Sequence, residues 1–120
     1  MMYADTDFIL ALLKDSDWLK DSARAVYEEH KEEIFTSHVT LNEVLILCER
    51  NDLSPRKKLS ELEMLMQIEA DMDKYLEAAH YMEEYDLHTF DALQVAFSEG
   101  EVILTTDEKI REITDVKNFR

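Results

Sequence analysis

Val102-Ile103-Leu104-Thr105-Thr106-Asp107 is the stretch on which the fold turns. Three apolar residues run into two hydroxyls and end on an acid. A strand this short and this apolar has no solvent-facing side. The arrangement that buries both of its faces is a parallel sheet covered by helices. The pattern recurs more faintly upstream, where Met2-Tyr3-Ala4 leads into Asp5-Thr6-Asp7 and Ile34-Phe35-Thr36-Ser37 leads into a helical segment.

Between these strands the periodicity is helical. Phe8 to Leu13 is an unbroken apolar run that suits a short buried helix. Trp18 to Glu33 reads as an amphipathic helix with Leu19, Ala23 and Val26 on one face. From about Thr40 to Arg50, Leu41, Val44, Leu45 and Cys48 fall at i, i+3, i+4 and i+7. Ser54 and Pro55 are cap and first residue of a helix whose buried stripe is Leu59, Leu62, Leu65 and Met66. A short strand fits around Ile68. Tyr75, Ala78, Ala79 and Met82 mark a helix closing near Asp86. Thr89 reads as the cap of a helix that begins near Phe90, is apolar enough to be central, and ends at Gly100. A last short helix over Asp107 to Ile113 and an edge strand over Val116 to Phe119 complete the chain. Strands alternating with helices predict an α/β fold: a three-layer α/β/α sandwich with a mostly parallel sheet of four or five strands. Residues 1–120 read as one domain, without repeats or low-complexity segments.

Composition excludes several classes. No apolar run approaches the roughly 18 residues needed to span a bilayer, and the start of the chain lacks the basic region of a signal peptide. The single cysteine, Cys48, sits in an apolar run and reads as a buried free thiol, which suits a reducing, cytoplasmic location. Twenty-eight acids against thirteen Lys and Arg give a formal charge of −15, which opposes binding to phosphates. Divalent cations would reverse that sign locally without neutralising the rest of the surface.

Most of these acids belong to solvated helix faces. The informative ones are embedded in apolar sequence, where an unpaired charge is costly. Asp5 and Asp107 each follow a predicted strand, at the edge where open α/β sheets place their sites. Asp91 lies at the start of the most apolar helix. Each has a structural explanation as well: Asp5, Asp91 and Asp107 all suit helix N-termini. Glu43 has none, being the only charge between Val39 and Cys48. Carboxylates that converge raise one another's pKa, and divalent metal relieves the conflict. Oxygen-only ligands suit Mg²⁺ or Mn²⁺, and such a site activates water against a phosphodiester.

At this point the chain resembles the PIN domain family, the fold of VapC-type toxin ribonucleases. The motifs are Tyr3-Ala4-Asp5-Thr6-Asp7-Phe8-Ile9-Leu10, Thr40-Leu41-Asn42-Glu43-Val44-Leu45, Phe90-Asp91-Ala92-Leu93-Gln94-Val95-Ala96 and Leu104-Thr105-Thr106-Asp107. The resemblance covers essentially the whole chain, and Asp-Ala-Leu-x-x-Ala is its most specific element. It implies a metal-dependent endoribonuclease whose catalytic, metal-holding residues are Asp5, Glu43, Asp91 and Asp107, supported by the Thr105 hydroxyl. It also implies an RNA substrate, a homodimer and, in the toxin branch, a small antitoxin that blocks the site. Asp7 stands where the family often has Asn or Ser and adds a fifth acid. Lys109 stands where many members carry another acid.

Two other readings compete. Asp5-Thr6-Asp7 after a strand also resembles haloacid dehalogenase-type phosphatases, although only Lys109 is available as the further lysine they need. A non-catalytic module retaining the fold is the third reading, which the embedded acids oppose. His30, His38, His80 and His88 lack zinc-like spacing and read as surface or satisfied residues. Arg56, Lys57 and Lys58 read as the solvated first turn of a helix. Met64, Met66 and Met72 read as core or dimer packing.

Overall fold

The computed structural model describes residues 1–14, 18–106, 110 and 114–119. Five strands form one sheet in the order β3-β2-β1-β4-β5, and every pairing is parallel. They are β1 (Met2–Ala4), β2 (Ile34–Ser37), β3 (Gln67–Glu69), β4 (Val102–Leu104) and β5 (Val116–Lys117). The helices are α1 (Thr6–Leu13), α2 (Lys20–His30), α3 (His38–Asn51), α4 (Pro55–Leu65), α5 (Asp73–Tyr85) and α6 (Thr89–Ser98). The predicted α/β sandwich is therefore present, including the strand at Ile68 and the edge strand at Val116.

Side-chain alternation along each strand divides the interior into two cores. Ala4, Ile34 and Leu104 point to one face, where α1, α2, α4 and the later part of α3 supply Phe8, Ala23, Leu62 and Val44. Tyr3, Phe35 and Ile103 point to the other, where α5 and α6 supply Ala78, Ala92, Val95, Ala96 and Phe97. Every residue from Ala92 to Ser98 is buried, so α6 is the central helix its composition predicts.

Polar residues at strand ends set where the helices begin. Asp5 caps α1, its carboxylate accepting from the Thr6 amide at 2.6 Å. Ser37 closes β2 and caps α3, accepting from the Val39 amide. Ser54 caps α4 with Pro55 in its first turn, as predicted.

Several finer expectations fail. The helix predicted over Trp18 to Glu33 is shorter: α2 begins at Lys20, Lys31–Glu33 forms a 3-10 turn, and Trp18 is 76% exposed. On α3 the buried residues are Val39, Thr40, Val44 and Cys48, while Leu45 and Ile46 face outward, so the apolar stripe is rotated from the one predicted. On α5 only Ala78 is buried; Tyr75, Ala79 and Met82 are exposed. Thr89 is the first residue of α6 and not its cap, which is His88 without a side-chain bond. Of the three methionines read as core or dimer packing, Met66 is core, while Met64 and Met72 lie on the surface, which leaves dimer packing as their reading. Lys58 departs most sharply. It is buried, donating to the Leu13 carbonyl at 2.7 Å and lying 3.7 Å from Glu61. The helix predicted over residues 107–113 lies outside the described residues, apart from the buried Ile110.

Candidate active site

The sheet order runs outward from β1 in both directions, to β2 on one side and β4 on the other. That reversal leaves a crevice beyond the carboxyl ends of β1 and β4, the place where doubly wound sheets bind their ligands. Ala4 pairs with Leu104, so Asp5 and Thr105 are the next residues out, one on each lip. The Asp5 amide continues the ladder by donating to the Leu104 carbonyl at 3.2 Å.

Thr105 joins two acids at this lip. Its hydroxyl lies 3.0 Å from Asp5 Oδ2 and 3.3 Å from Asp7 Oδ2. One hydroxyl proton cannot fully satisfy both carboxylates. Asp7 Oδ2 also accepts from the amide and the hydroxyl of Thr106, at 2.8 and 2.6 Å. Asp7 Oδ1 is buried and has no hydrogen-bond partner among the described residues. Burial, reinforced by the charge of Asp7 and more weakly by that of Glu43, pushes the Asp5 carboxyl up to about 7 against the bonds from Thr6 and Thr105.

Glu43 approaches from α3. Its Oε1 accepts from Thr6 Oγ1 at 2.8 Å and from Gln94 Nε2 at 2.9 Å. Its partners therefore come from α1 and α6, not from its own helix, where Ile46 is exposed. Burial raises the Glu43 carboxyl above its ordinary value, the two hydrogen bonds oppose that, and the charges of Asp91 and Asp7 add to it. Asp91, half-buried in the first turn of α6, thus belongs to the same electrostatic group. Asp107 lies outside the described residues.

Three predicted acids, Asp5, Glu43 and Asp91, with Asp7 and Thr105, thus share one end of the sheet. Among the described residues no three Asp, Glu, His or Cys side chains are grouped closely enough to hold an ion unaided. The donor chemistry nonetheless suits a hard cation: the side chains are all oxygen, one of those oxygens has no partner among the described residues, and neighbouring charges raise the carboxyls of Asp5 and Glu43. His38 is engaged elsewhere, bonding the Tyr75 hydroxyl at 2.5 Å.

Sequence reasoning missed Gln94. It is 2% exposed, bonded to Tyr3, Thr6 and Glu43, and stands in the apolar run Ala92-Leu93-Gln94-Val95-Ala96. The signal that marks Glu43, a polar group embedded in apolar sequence, marks Gln94 as well.

This fold, with acids gathered at its switch point, defines a class. Residues 2–116 match the PIN domain family, and the chain belongs to it. That membership replaces the phosphatase reading of Asp5-Thr6-Asp7. Among solved structures, a toxin–antitoxin complex from Klebsiella pneumoniae is similar with a TM-score of 0.78 and 18% identity, over 100% of this chain and 98% of that one. The Mycobacterium tuberculosis toxin VapC20, which cleaves the sarcin-ricin loop, is similar with a TM-score of 0.75 and 18% identity, over 90% and 91% of the two chains. VapBC2 of Rickettsia felis, bound to a DNA fragment from its promoter, gives 0.73 and 18%, over 98% of each. At this identity the shared property is the fold. No curated protein sequence matches the chain.

Proposed function

We propose that this protein is a divalent-metal-dependent endoribonuclease acting as the toxin of a toxin–antitoxin pair. The observation that carries the reading is the pairing of Asp5 and Asp7 on the Thr105 hydroxyl, with Glu43 in their field, at the switch point of a PIN domain. Asp5, Glu43, Asp91 and Asp107 would hold Mg²⁺ or Mn²⁺, with the orphaned oxygen of Asp7 as a further donor. When bound, the cation lowers the pKa of water and offsets charge on the scissile phosphate.

The chain's own side chains prepare the rest. Thr105 and Thr106 orient Asp5 and Asp7, while Thr6 and Gln94 orient Glu43. Beside Glu43 an open groove of about 300 Å³ is lined by Ile46, Leu47, Arg50 and Phe90. It offers a ring for base stacking and a guanidinium for a phosphate. The reaction is hydrolysis: a phosphorus–oxygen bond forms to water and one to a ribose oxygen breaks. Cys48 is buried in α3 and offers no competing nucleophile.

The solved structures similar to this chain include toxin–antitoxin complexes, and a formal charge of −15 favours a basic antitoxin as the partner that covers the site. A homodimer, in the cytoplasm, completes the reading. The test is cleavage of an assorted RNA pool with Mn²⁺. Wild type should cleave, EDTA should stop it, and Asp91→Asn should abolish it with the fold intact by circular dichroism. Activity that survives in EDTA or in Asp91→Asn overturns the proposal.

A further inference from the structure

Tyr3 and Gln94 are buried polar groups in otherwise apolar surroundings, with 0% and 2% exposure. A phenylalanine and a leucine would fill the same places with no polar group to satisfy. Their hydrogen bonds instead form a chain with one sense. The Val39 amide donates to Ser37 Oγ at 3.3 Å, and Ser37 Oγ lies 2.7 Å from the Tyr3 hydroxyl. The Tyr3 hydroxyl donates to Gln94 Oε1. A tyrosine has one proton to give, so Ser37 is the donor to Tyr3. Gln94 Nε2 then donates to Thr6 Oγ1 at 3.0 Å and to Glu43 Oε1 at 2.9 Å, and Thr6 Oγ1 donates to the same oxygen at 2.8 Å. The chain ends on the one member that in its ionised form has no proton to give.

We propose that Tyr3 and Gln94 are positioning residues for Glu43: the Tyr3 hydroxyl fixes the Gln94 amide so that its nitrogen, not its oxygen, meets the carboxylate. The inference rests on Glu43 being a metal-holding acid, as proposed above. Reversing the amide would set its oxygen against Glu43 Oε1 and would oblige the Tyr3 hydroxyl to turn its proton to Ser37 Oγ and accept from the NH₂ group. Gln94 and Tyr3 are themselves buried, so water is poorly placed to substitute for either partner of the amide. The chain draws on β1, the β2–α3 junction, α6, α1 and α3. It therefore ties the site acid on α3 to the centre of the sheet, which no contact within α3 could do. Partners of this kind orient metal-holding side chains, and their loss typically weakens metal affinity about 10- to 100-fold.

The experiment is Mn²⁺ binding by calorimetry, with unfolding midpoints in EDTA, for wild type, Tyr3→Phe, Gln94→Leu and the double variant. Each single variant should weaken Mn²⁺ binding about tenfold or more. The double variant should bind no more weakly than Gln94→Leu, because Tyr3 acts only through the amide. Tyr3→Phe removes one oxygen and keeps the edge-on packing against Phe35, so it carries the test should Gln94→Leu fail to fold. A purely structural role would lower the midpoint and leave the Mn²⁺ dissociation constant unchanged, and that result in Tyr3→Phe overturns the inference. Losses that add in the double variant overturn it too. Wild type that binds no Mn²⁺ overturns the proposed function itself, leaving Tyr3 and Gln94 as groups that satisfy each other in the core.

Discussion

Asp5 carries two duties whose demands on its charge differ. As a helix cap it accepts from the Thr6 amide, and as a site acid it lies beside Asp7. Burial, with the charge of Asp7 beside it, pushes its carboxyl up to about 7 in the folded protein, against about 3.8 as an ordinary aspartate. Between those values the folded state holds a proton that the unfolded state has lost, so stability falls as pH rises. The contribution is complete below about pH 3.8 and is lost as pH climbs through about 7. Asp5→Asn keeps the cap acceptor and removes the titration. In EDTA, its unfolding free energy from urea denaturation should decline less than that of wild type between pH 5 and pH 8, by an amount on the order of 1 kcal/mol or more. Equal slopes for the two proteins would show that Asp5 titrates normally.

Helix α1 is held at both ends, and this decides where its first turn presents Asp7 and Thr6. At the amino end Asp5 caps it. At the other end two ammonium groups replace the missing amide donors of the helix terminus. Lys20 Nζ donates to the carbonyls of Leu12 and Lys14 at 2.8 and 2.6 Å, and Lys58 Nζ to that of Leu13 at 2.7 Å. Cations there also oppose the negative end of the helix dipole. Lys58→Ala removes a buried donor and its packed stem, so it should lower stability by about 1–3 kcal/mol in urea denaturation. Lys57→Ala, one residue away and exposed, should change it by no more than about 0.5 kcal/mol. Comparable losses in both would return the cluster to the solvated helix turn predicted from sequence.

A formal charge of −15 on 120 residues acts on the whole molecule. Self-repulsion among solvated carboxylates opposes the compact state, and salt screens it. The unfolding midpoint in EDTA should rise as NaCl goes from about 10 to 300 mM, over which the screening length falls from about 30 Å to below 10 Å. A flat or falling midpoint would mean that local ion pairs such as Lys74–Glu77 and Lys31–Glu28 already offset the repulsion. The same field repels RNA at long range. The proposed RNA cleavage should therefore speed up over the lower part of this range, opposite to the usual salt dependence of a basic nucleic-acid-binding protein.

The sequence by itself determined the layers and the edge of the sheet where the acids collect. Strands such as Val102-Ile103-Leu104 have no polar side, so their burial on both faces follows from composition alone. Asp5 and Glu43 were legible because a charge in apolar sequence must find a partner. Tertiary structure decided which partner. Gln94 lies 51 residues from Glu43 and 91 from Tyr3, and no local pattern foretells that their atoms meet. Helix facing was also settled at that level. Leu45 and Val44 are equally apolar, yet the sheet and α1 leave room for only one of them, and Leu45 turns outward. Lys58 reads as a surface residue until the open end of α1, 45 residues away, supplies the carbonyl that makes its burial favourable. Periodicity fixes which residues can be buried; the packing of elements distant in sequence fixes which are, and which polar groups they satisfy.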